Sequence, residues 1–239
     1  MNNKLINIVI IGAGNAYWEI FDLINDINKS ENKFNIISIL DDNDEIIGKE
    51  FNNIKVKGPI REEIKSFSKD VKFVFAIGSV QSRLNRRNII EYLNIEPNRF
   101  VTLIHPTCKI YSNTKIGYGC IIHYGCIIFS HTIIDNFTLI SACCVIGVKN
   151  LIGEGCLFAS SITTTTDIKI GSYSFIGAGV VIAPNIEIGP GSMIGLGSCV
   201  FRNTLKGEYT LGNPARVINK DNVDEKIINL WEQFKLLNF

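Results

Sequence analysis

Leu103–Cys108 LIHPTC, Lys109–Thr114 KIYSNT, Lys115–Cys120 KIGYGC, Ile121–Cys126 IIHYGC and Ile127–Thr132 IIFSHT open a run of seventeen hexads that continues without insertion to Thr204. The second place is Ile in fourteen of them and Phe158, Thr164 or Val200 in the others. No α-helix has a period of six. A parallel β-helix with three short flat sides does, and three hexads then make one turn. Residues eighteen apart stack about 4.8 Å from each other along such a prism.

The strand period of two puts the second place and the preceding sixth place on the same, inward face. The sixth places include Cys108, Thr114, Cys120, Cys126, Thr132, Thr138, Cys144, Asn150 and Cys156, mostly small, as three converging sides require. The third place is often glycine, as at Gly117, Gly147, Gly153, Gly171, Gly177, Gly189 and Gly195. This predicts corners where backbone freedom matters. Five of the seven cysteines lie on the inward sixth place and read as small core fillers. No C-x-x-C spacing suggests a metal or redox site, and Cys143 and Cys199, off that register, have no base nearby in sequence. The cysteine usage fits a reducing cytoplasm.

The 239 residues carry a formal net charge of +1, so bulk attraction to nucleic acid or anionic membrane is not expected. No apolar run approaches a membrane span and no cleavable leader is expected.

The first 100 residues alternate strand and helix and predict a small, open, Rossmann-like parallel sheet. Strands are expected at Asn7–Ile11, Phe34–Leu40, Val71–Ile77 and Phe100–Ile104. Helices are expected at about Trp18–Ile27, Arg61–Ser66 and Gln81–Leu93, with a turn at Val56-Lys-Gly-Pro59. After the hexads comes a turn-rich strip, Leu211-Gly-Asn-Pro-Ala-Arg216. From Asp221 to Phe239, Ile227, Ile228, Trp231, Phe234 and Leu237 fall at helical spacing and predict a capping helix. The domains so read are 1–100, an α/β ligand domain, 101–220, a β-helix, and 221–239, a helix.

Gly12-x-Gly14 follows the first strand as in a dinucleotide fingerprint, but the third glycine position is Tyr17. A full dinucleotide site needs close helix–strand packing there, so NAD is not expected. The helix N-terminus still suits a nucleotide diphosphate; a purely structural βα turn is the rival reading. Asp41 and Asp42 end the second strand and Gly78 ends the third, at the edge where open α/β sheets bind ligands. There the aspartates are candidates for ribose or base, and Arg83 for phosphate.

The three histidines all lie in the early coils. His105 and His123 share one column, which continues Ser141, Ala159, Gly177, Gly195; His131 belongs to the next, between Asn113 and Lys149. A base beside a smooth glycine track suits the pantetheine arm of an acyl carrier. A zinc site is not expected, because spacings of 18 and 8 do not bring three ligands together.

The Ile11-Gly-Ala-Gly14 turn, Leu40-Asp-Asp42, Ala76-Ile-Gly78 followed by Arg83, Leu103-Ile-His-Pro106, the hexads and Gly212-Asn-Pro-Ala-Arg216 together resemble a family. It is that of the bacterial left-handed β-helix acyltransferases of nucleotide-linked amino sugars, of the sialic-acid O-acetyltransferase and bacillosamine-pathway N-acetyltransferase type. The resemblance implies a homotrimer with sites between neighbouring prisms. The N-terminal domain would hold the nucleotide sugar through Gly12, Gly14, Asp41, Asp42, Gly78 and Arg83. Acetyl-CoA would lie against Gly177, Ala178 and Gly195 with its nucleotide end toward Arg216. The implied activity is N-acetylation of a nucleotide-linked amino sugar for surface glycans, with acetyl-CoA as co-substrate and no metal. The alternatives are O-acetylation of a sugar hydroxyl and a non-catalytic trimer that only binds nucleotide sugars. The family's basic histidine falls at Val148 by coil count, or one place before His131, at Ser130, by local motif. His131 and His123 are therefore the candidate bases, with a backbone N–H of the glycine column as oxyanion donor.

Overall fold

The structure is a computed structural model that describes residues 5–79, 82 and 85–218. The expected C-terminal helix at 221–239 and the candidate Arg83 lie outside the described residues.

The N-terminal part is an open sheet built from β1 (Ile6–Ile11), β2 (Phe34–Leu40), β3 (Glu50–Phe51), β4 (Ile54–Lys57) and β5 (Lys72–Phe75), in the order β3-β4-β2-β1-β5. All pairs are parallel except β3 with β4. The central strands are continuous apolar runs because both faces are covered. Helix α1 (Asn15–Glu31) buries Tyr17, Ile20, Leu23, Ile24 and Ile27, an i, i+3, i+4, i+7 stripe. It ends at Asn32 in the left-handed conformation, a usual helix stop. Helices α2 (Ile60–Ile64) and α3 (Arg86–Leu93) complete this part.

The β3–β4 hairpin was not anticipated. Its signal is Asn52-Asn53, both at positive φ, a pair suited to a tight hairpin turn. The expected turn at Val56 is in fact the end of β4, and α1 extends beyond both predicted ends. Of the expected strand at 100–104, Phe100 makes an isolated bridge to Phe73 and only Leu103–Ile104 pairs as a strand.

From Leu103 the chain winds as a left-handed β-helix. Each hexad contributes a two-residue strand, and strands eighteen residues apart pair in parallel: Ile121 with Leu139, Ile127 with Val145, Ile133 with Leu151. Second and sixth places fill the interior, from Cys120 and Ile122 through Cys156 and Phe158 to Ile194 and Val200. The sixth places do more than occupy space. Thr132 Oγ1 donates to Gly147 O at 2.8 Å, Thr138 Oγ1 to Gly153 O at 3.0 Å, and the Cys120, Cys126 and Cys144 thiols to the carbonyls fifteen residues on at 3.1–3.2 Å. Small residues with a donor are selected because each corner leaves an inward carbonyl to satisfy. All seven cysteines are free. The two irregular hexads compensate each other: inward Asn150 donates through Nδ2 to inward Thr164 Oγ1 at 2.6 Å and accepts the Ile168 N–H at 2.9 Å.

The third-place glycines correct the sequence reading. Left-handed φ falls on the fifth place instead, at Asn113, His131, Cys143, Lys149 and their equivalents. Gly177 has no positive φ, but a Cβ there would lie 2.7 Å from Leu196 N and 2.9 Å from Gly195 C, on the next coil. A side chain at this place would point at the backbone of the neighbouring coil rather than into open space. Gly177→Ala is therefore expected to destabilise the prism by about 2 kcal/mol, since backbone must shift to admit a methyl group. A urea unfolding midpoint equal to that of the unsubstituted chain would contradict this.

The terminal strip is also more ordered than expected. Tyr209–Gly212 pairs with Met193–Ile194 and folds back antiparallel on Ala215–Val217. The two parts share one core: Leu23 and Ile27 of α1 and Ile8 and Ile10 of β1 cluster with Leu103, Ile121, Leu139 and Leu157 of the prism.

Candidate functional site

Two cavities open along the seam between the α/β part and one prism corner. The first, about 550 Å³, is lined by Gly12, Gly14, Asp41, Asp42 and Gly78 and, across from them, by Leu139, Ser141, Leu157, Ala159 and Phe175. The structure thus brings together at one edge five of the six residues read from sequence as ligand-binding. Gly12 is required there: its φ is +104° and a Cβ would meet Ile77 Cγ1 at 2.9 Å. Helix α1 begins at Gly14 with no side-chain cap. Gly14, Asn15 and Ala16 line the cavity, so the helix start borders it, and a helix N-terminus favours an anionic group. Tyr17, in place of a third glycine, is buried, with its hydroxyl 3.3 Å from Phe51 O and Asn52 Oδ1; burial raises it to about 12.

The aspartates already have structural work. Asp41 Oδ2 accepts the Ala13 N–H at 2.7 Å and Oδ1 the Asn43 N–H at 2.9 Å. Asp42 Oδ1 accepts the Ile60 N–H at 2.7 Å, at the start of α2. Carboxylate oxygens accept more than one bond, so both retain acceptor capacity. Asp41→Ala is expected to free the Ala13 turn, lowering stability by about 1–2 kcal/mol as well as nucleotide affinity. Asp42→Ala is expected to loosen the start of α2 and also to remove a carboxylate from the cavity wall. Equal thermal midpoints for the Asp41→Ala chain and the unsubstituted one would refute the turn's dependence on Asp41.

The second cavity, about 930 Å³, adjoins the first and shares Glu19 and Ser141 with it. His105 and His123 form its prism wall and Glu19, Asp22 and Asp26 of α1 the other. His105 is satisfied, with Nε2 3.2 Å from Asp26 Oδ2 and Nδ1 2.8 Å from Thr107 Oγ1. His123, only 7% exposed, has no partner for Nε2 among the described residues. Burial, with a smaller push from His105, lowers its imidazole to about 4. A histidine in the unfolded chain titrates near 6.5. The folded state thus binds fewer protons between these values, and stability present above pH 6.5 is lost as pH falls toward 4, by up to about 3 kcal/mol. His123→Gln is expected to lessen that loss, read as the change in urea midpoint between pH 7 and 4.5. An identical drop in both chains would remove His123 as its source.

The other sequence candidates lie elsewhere. His131 is exposed at a left-handed corner, φ 62°, one corner away from His123, and lines neither cavity. Gly177 and Gly195 continue the His123 column, but their N–H groups already donate to Ile194 O and Thr210 O at 2.8 Å. The Leu211 side chain lies over Gly195, where a Cβ would overlap it. The open glycine track with a free N–H is therefore absent at those two positions. Ala178 N–H has no partner among the described residues. Arg216 is exposed on the terminal hairpin, its guanidinium donating to Ala215 O.

Sequence reasoning missed Glu19 and Arg86. Glu19, Asp22 and Asp26 at i, i+3, i+7 were a legible acidic stripe. Arg86 had no signal: it is fully buried at the junction, forking to the Ile77 and Phe137 carbonyls beside the Phe75 ring, and desolvation pushes it down to about 10.

These features define a left-handed hexapeptide prism with an open α/β domain docked on its early coils and a split cavity along the joint. Residues 7–93 match the family described as PglD N-terminal domain, and residues 167–202 match the bacterial transferase hexapeptide family. The two matches lie in tandem along the chain. No curated protein sequence matches it. Among solved structures it is similar to a perosamine N-acetyltransferase from Caulobacter crescentus in complex with CoA and GDP-perosamine. That pair has TM-score 0.77 and 18% identity, covering 90% of this chain and 97% of the other. It is also similar to the acetyltransferase domain of PglB from Neisseria gonorrhoeae with acetyl coenzyme A (0.78, 20%, 90% and 100%) and to WeeI from Acinetobacter baumannii (0.75, 21%, 88% and 99%). The likeness is one of fold across both parts. No described helix is long and apolar enough to cross a membrane.

Proposed function

We propose that this chain transfers an acetyl group from acetyl-CoA to the amine of a nucleotide-linked amino sugar, a cytoplasmic step toward a surface glycan. The carrying observation is the cavity in which the uncapped α1 N-terminus, the Gly12 turn and the Asp41–Asp42 strand end face the prism corner. The nucleotide diphosphate occupies that cavity, and the sugar reaches the waist at Glu19 and Ser141. His123 accepts the amine's proton; His131, a corner away, does not. The oxyanion donor is the Ala178 N–H rather than that of Gly177 or Gly195. Acetyl-CoA lies past Ala178 toward Arg216, in a groove completed by the neighbouring prism of a homotrimer. The domain division is 1–100, 101–220 and 221–239. A neutral amine is already a good nucleophile, so a site with no histidine at position 148 suits N-acetylation better than O-acetylation. The solved relatives support this reading through the CoA, acetyl-CoA and GDP-perosamine in their complexes.

The test is release of free thiol from acetyl-CoA with UDP-, dTDP-, GDP- and CDP-linked amino sugars, GDP-perosamine among them. Turnover with one nucleotide class is expected. Nucleotide-sugar binding without thiol release would leave a binding trimer, not an enzyme.

A further inference from the structure

Helix α1 presents Glu19, Asp22 and Asp26 to the prism corner, and the corner presents His105 and His123. The lower pair is closed, since His105 meets Asp26 at 3.2 Å. The upper pair is open. Glu19 Oε2 stops 4.0 Å from His123 Nε2, beyond hydrogen-bond range, and nothing else among the described residues satisfies that nitrogen. A buried polar atom without a partner carries a desolvation cost that a ligand donor would offset. The gap lies on the wall of the larger cavity, and Glu19 lines the smaller one as well. The Glu19 side chain is 64% exposed and so is reachable by a ligand in the cavity.

We propose that Glu19 is the residue that selects and positions the substrate's ammonium group, holding it by charge while His123 Nε2 faces the same nitrogen. This rests on the N-acetyltransferase reading and assigns its amine site. The ammonium donates one N–H to the Glu19 carboxylate and one to His123. His123 removes one proton, and the freed lone pair attacks the thioester carbonyl carbon. The C–N bond forms and the carbonyl π pair moves to oxygen. Collapse of the adduct breaks the C–S bond, and the sulfur leaves with its electron pair. The second proton lost by nitrogen goes to that thiolate. The first passes from His123 to water, leaving amide, coenzyme A thiol and one released proton. The carboxylate both attracts the cation and stabilises the imidazolium that forms beside it.

The experiment uses the full chain with Glu19→Gln and His123→Gln, both close in shape to the originals. Calorimetry measures UDP, dTDP, GDP and CDP and the corresponding amino-sugar nucleotides; thiol release measures turnover. For Glu19→Gln the nucleoside diphosphate affinity is expected within two-fold of the unsubstituted chain. Its affinity for the amino-sugar nucleotide falls at least ten-fold and kcat falls at least ten-fold. Unchanged amino-sugar affinity overturns the proposal while turnover by the unsubstituted chain keeps the acetyltransferase reading. An equal loss for nucleoside diphosphate and amino sugar shows a merely structural glutamate and also overturns it. If the unsubstituted chain binds amino-sugar nucleotides without releasing thiol, the enzymatic reading falls, and selective loss in Glu19→Gln still supports an ammonium site. Binding of no nucleotide at all removes both.

Discussion

Alanine at position 123 is expected to lower kcat by about 10²–10⁴, the usual contribution of a positioned general base, while alanine at position 131 leaves kcat within a few-fold. The contrast comes from geometry. His123 is buried on the wall of the larger cavity, with an Nε2 unsatisfied among the described residues and a carboxylate 4.0 Å away. His131 is an exposed fifth-place corner residue whose side chain lines neither cavity. Steady-state rates with a saturating amino-sugar nucleotide and acetyl-CoA decide it. Loss confined to KM in His123→Ala would make the imidazole an orienting group only. A large loss in His131→Ala would return the base to the next corner.

Arg86→Ala is expected to cost about 3–5 kcal/mol of stability, combining the void left by a long buried side chain with two carbonyls stripped of their donors. Arg86 forks between the carbonyls of Ile77, which lines the cavity of about 550 Å³, and of Phe137, in the prism. It therefore joins the two parts as well as filling space. Part of that loss is offset, because the guanidinium is buried without a carboxylate and carries a desolvation penalty of its own. Arg86→Met, which keeps volume and removes the charge, is accordingly expected to lose less, about 1–3 kcal/mol. Arg86→Lys cannot form the fork and falls between the two. Urea midpoints order the series; an Arg86→Ala chain within 1 kcal/mol of the unsubstituted one would falsify the role of the fork.

The prism was legible because its constraint is local and repeated. Every coil poses the same problem of a narrow interior, so Ile at the second place and Cys, Thr or Ser at the sixth recur in register. The physical reasons for two of its features were not legible. Third-place glycine answers a contact with the coil eighteen residues on, and sixth-place hydroxyls and thiols answer corner carbonyls fifteen residues on. Neither partner is adjacent in sequence. Thr164 and Asn150 read as two separate lapses in the pattern and are one hydrogen-bonded repair.

The candidate ligand residues divide along the same line. Gly12, Gly14, Asp41, Asp42 and Gly78 were found from sequence because they end strands of one parallel sheet, and topology sends all such ends to one edge. The prism wall opposite them was not, nor was Glu19, nor the choice between His123 and His131. Those depend on the angle at which α1 lies on the prism. That angle is set by Leu23 and Ile27 packing on Leu103 and Ile121, and by Arg86 clasping the joint. The sequence by itself determined the two architectures and their strand-end chemistry, because period and alternation act within a few residues. Only the tertiary structure decided which histidines lie opposite the acidic side of α1, because the docking of the two parts is settled by side chains far apart in the chain.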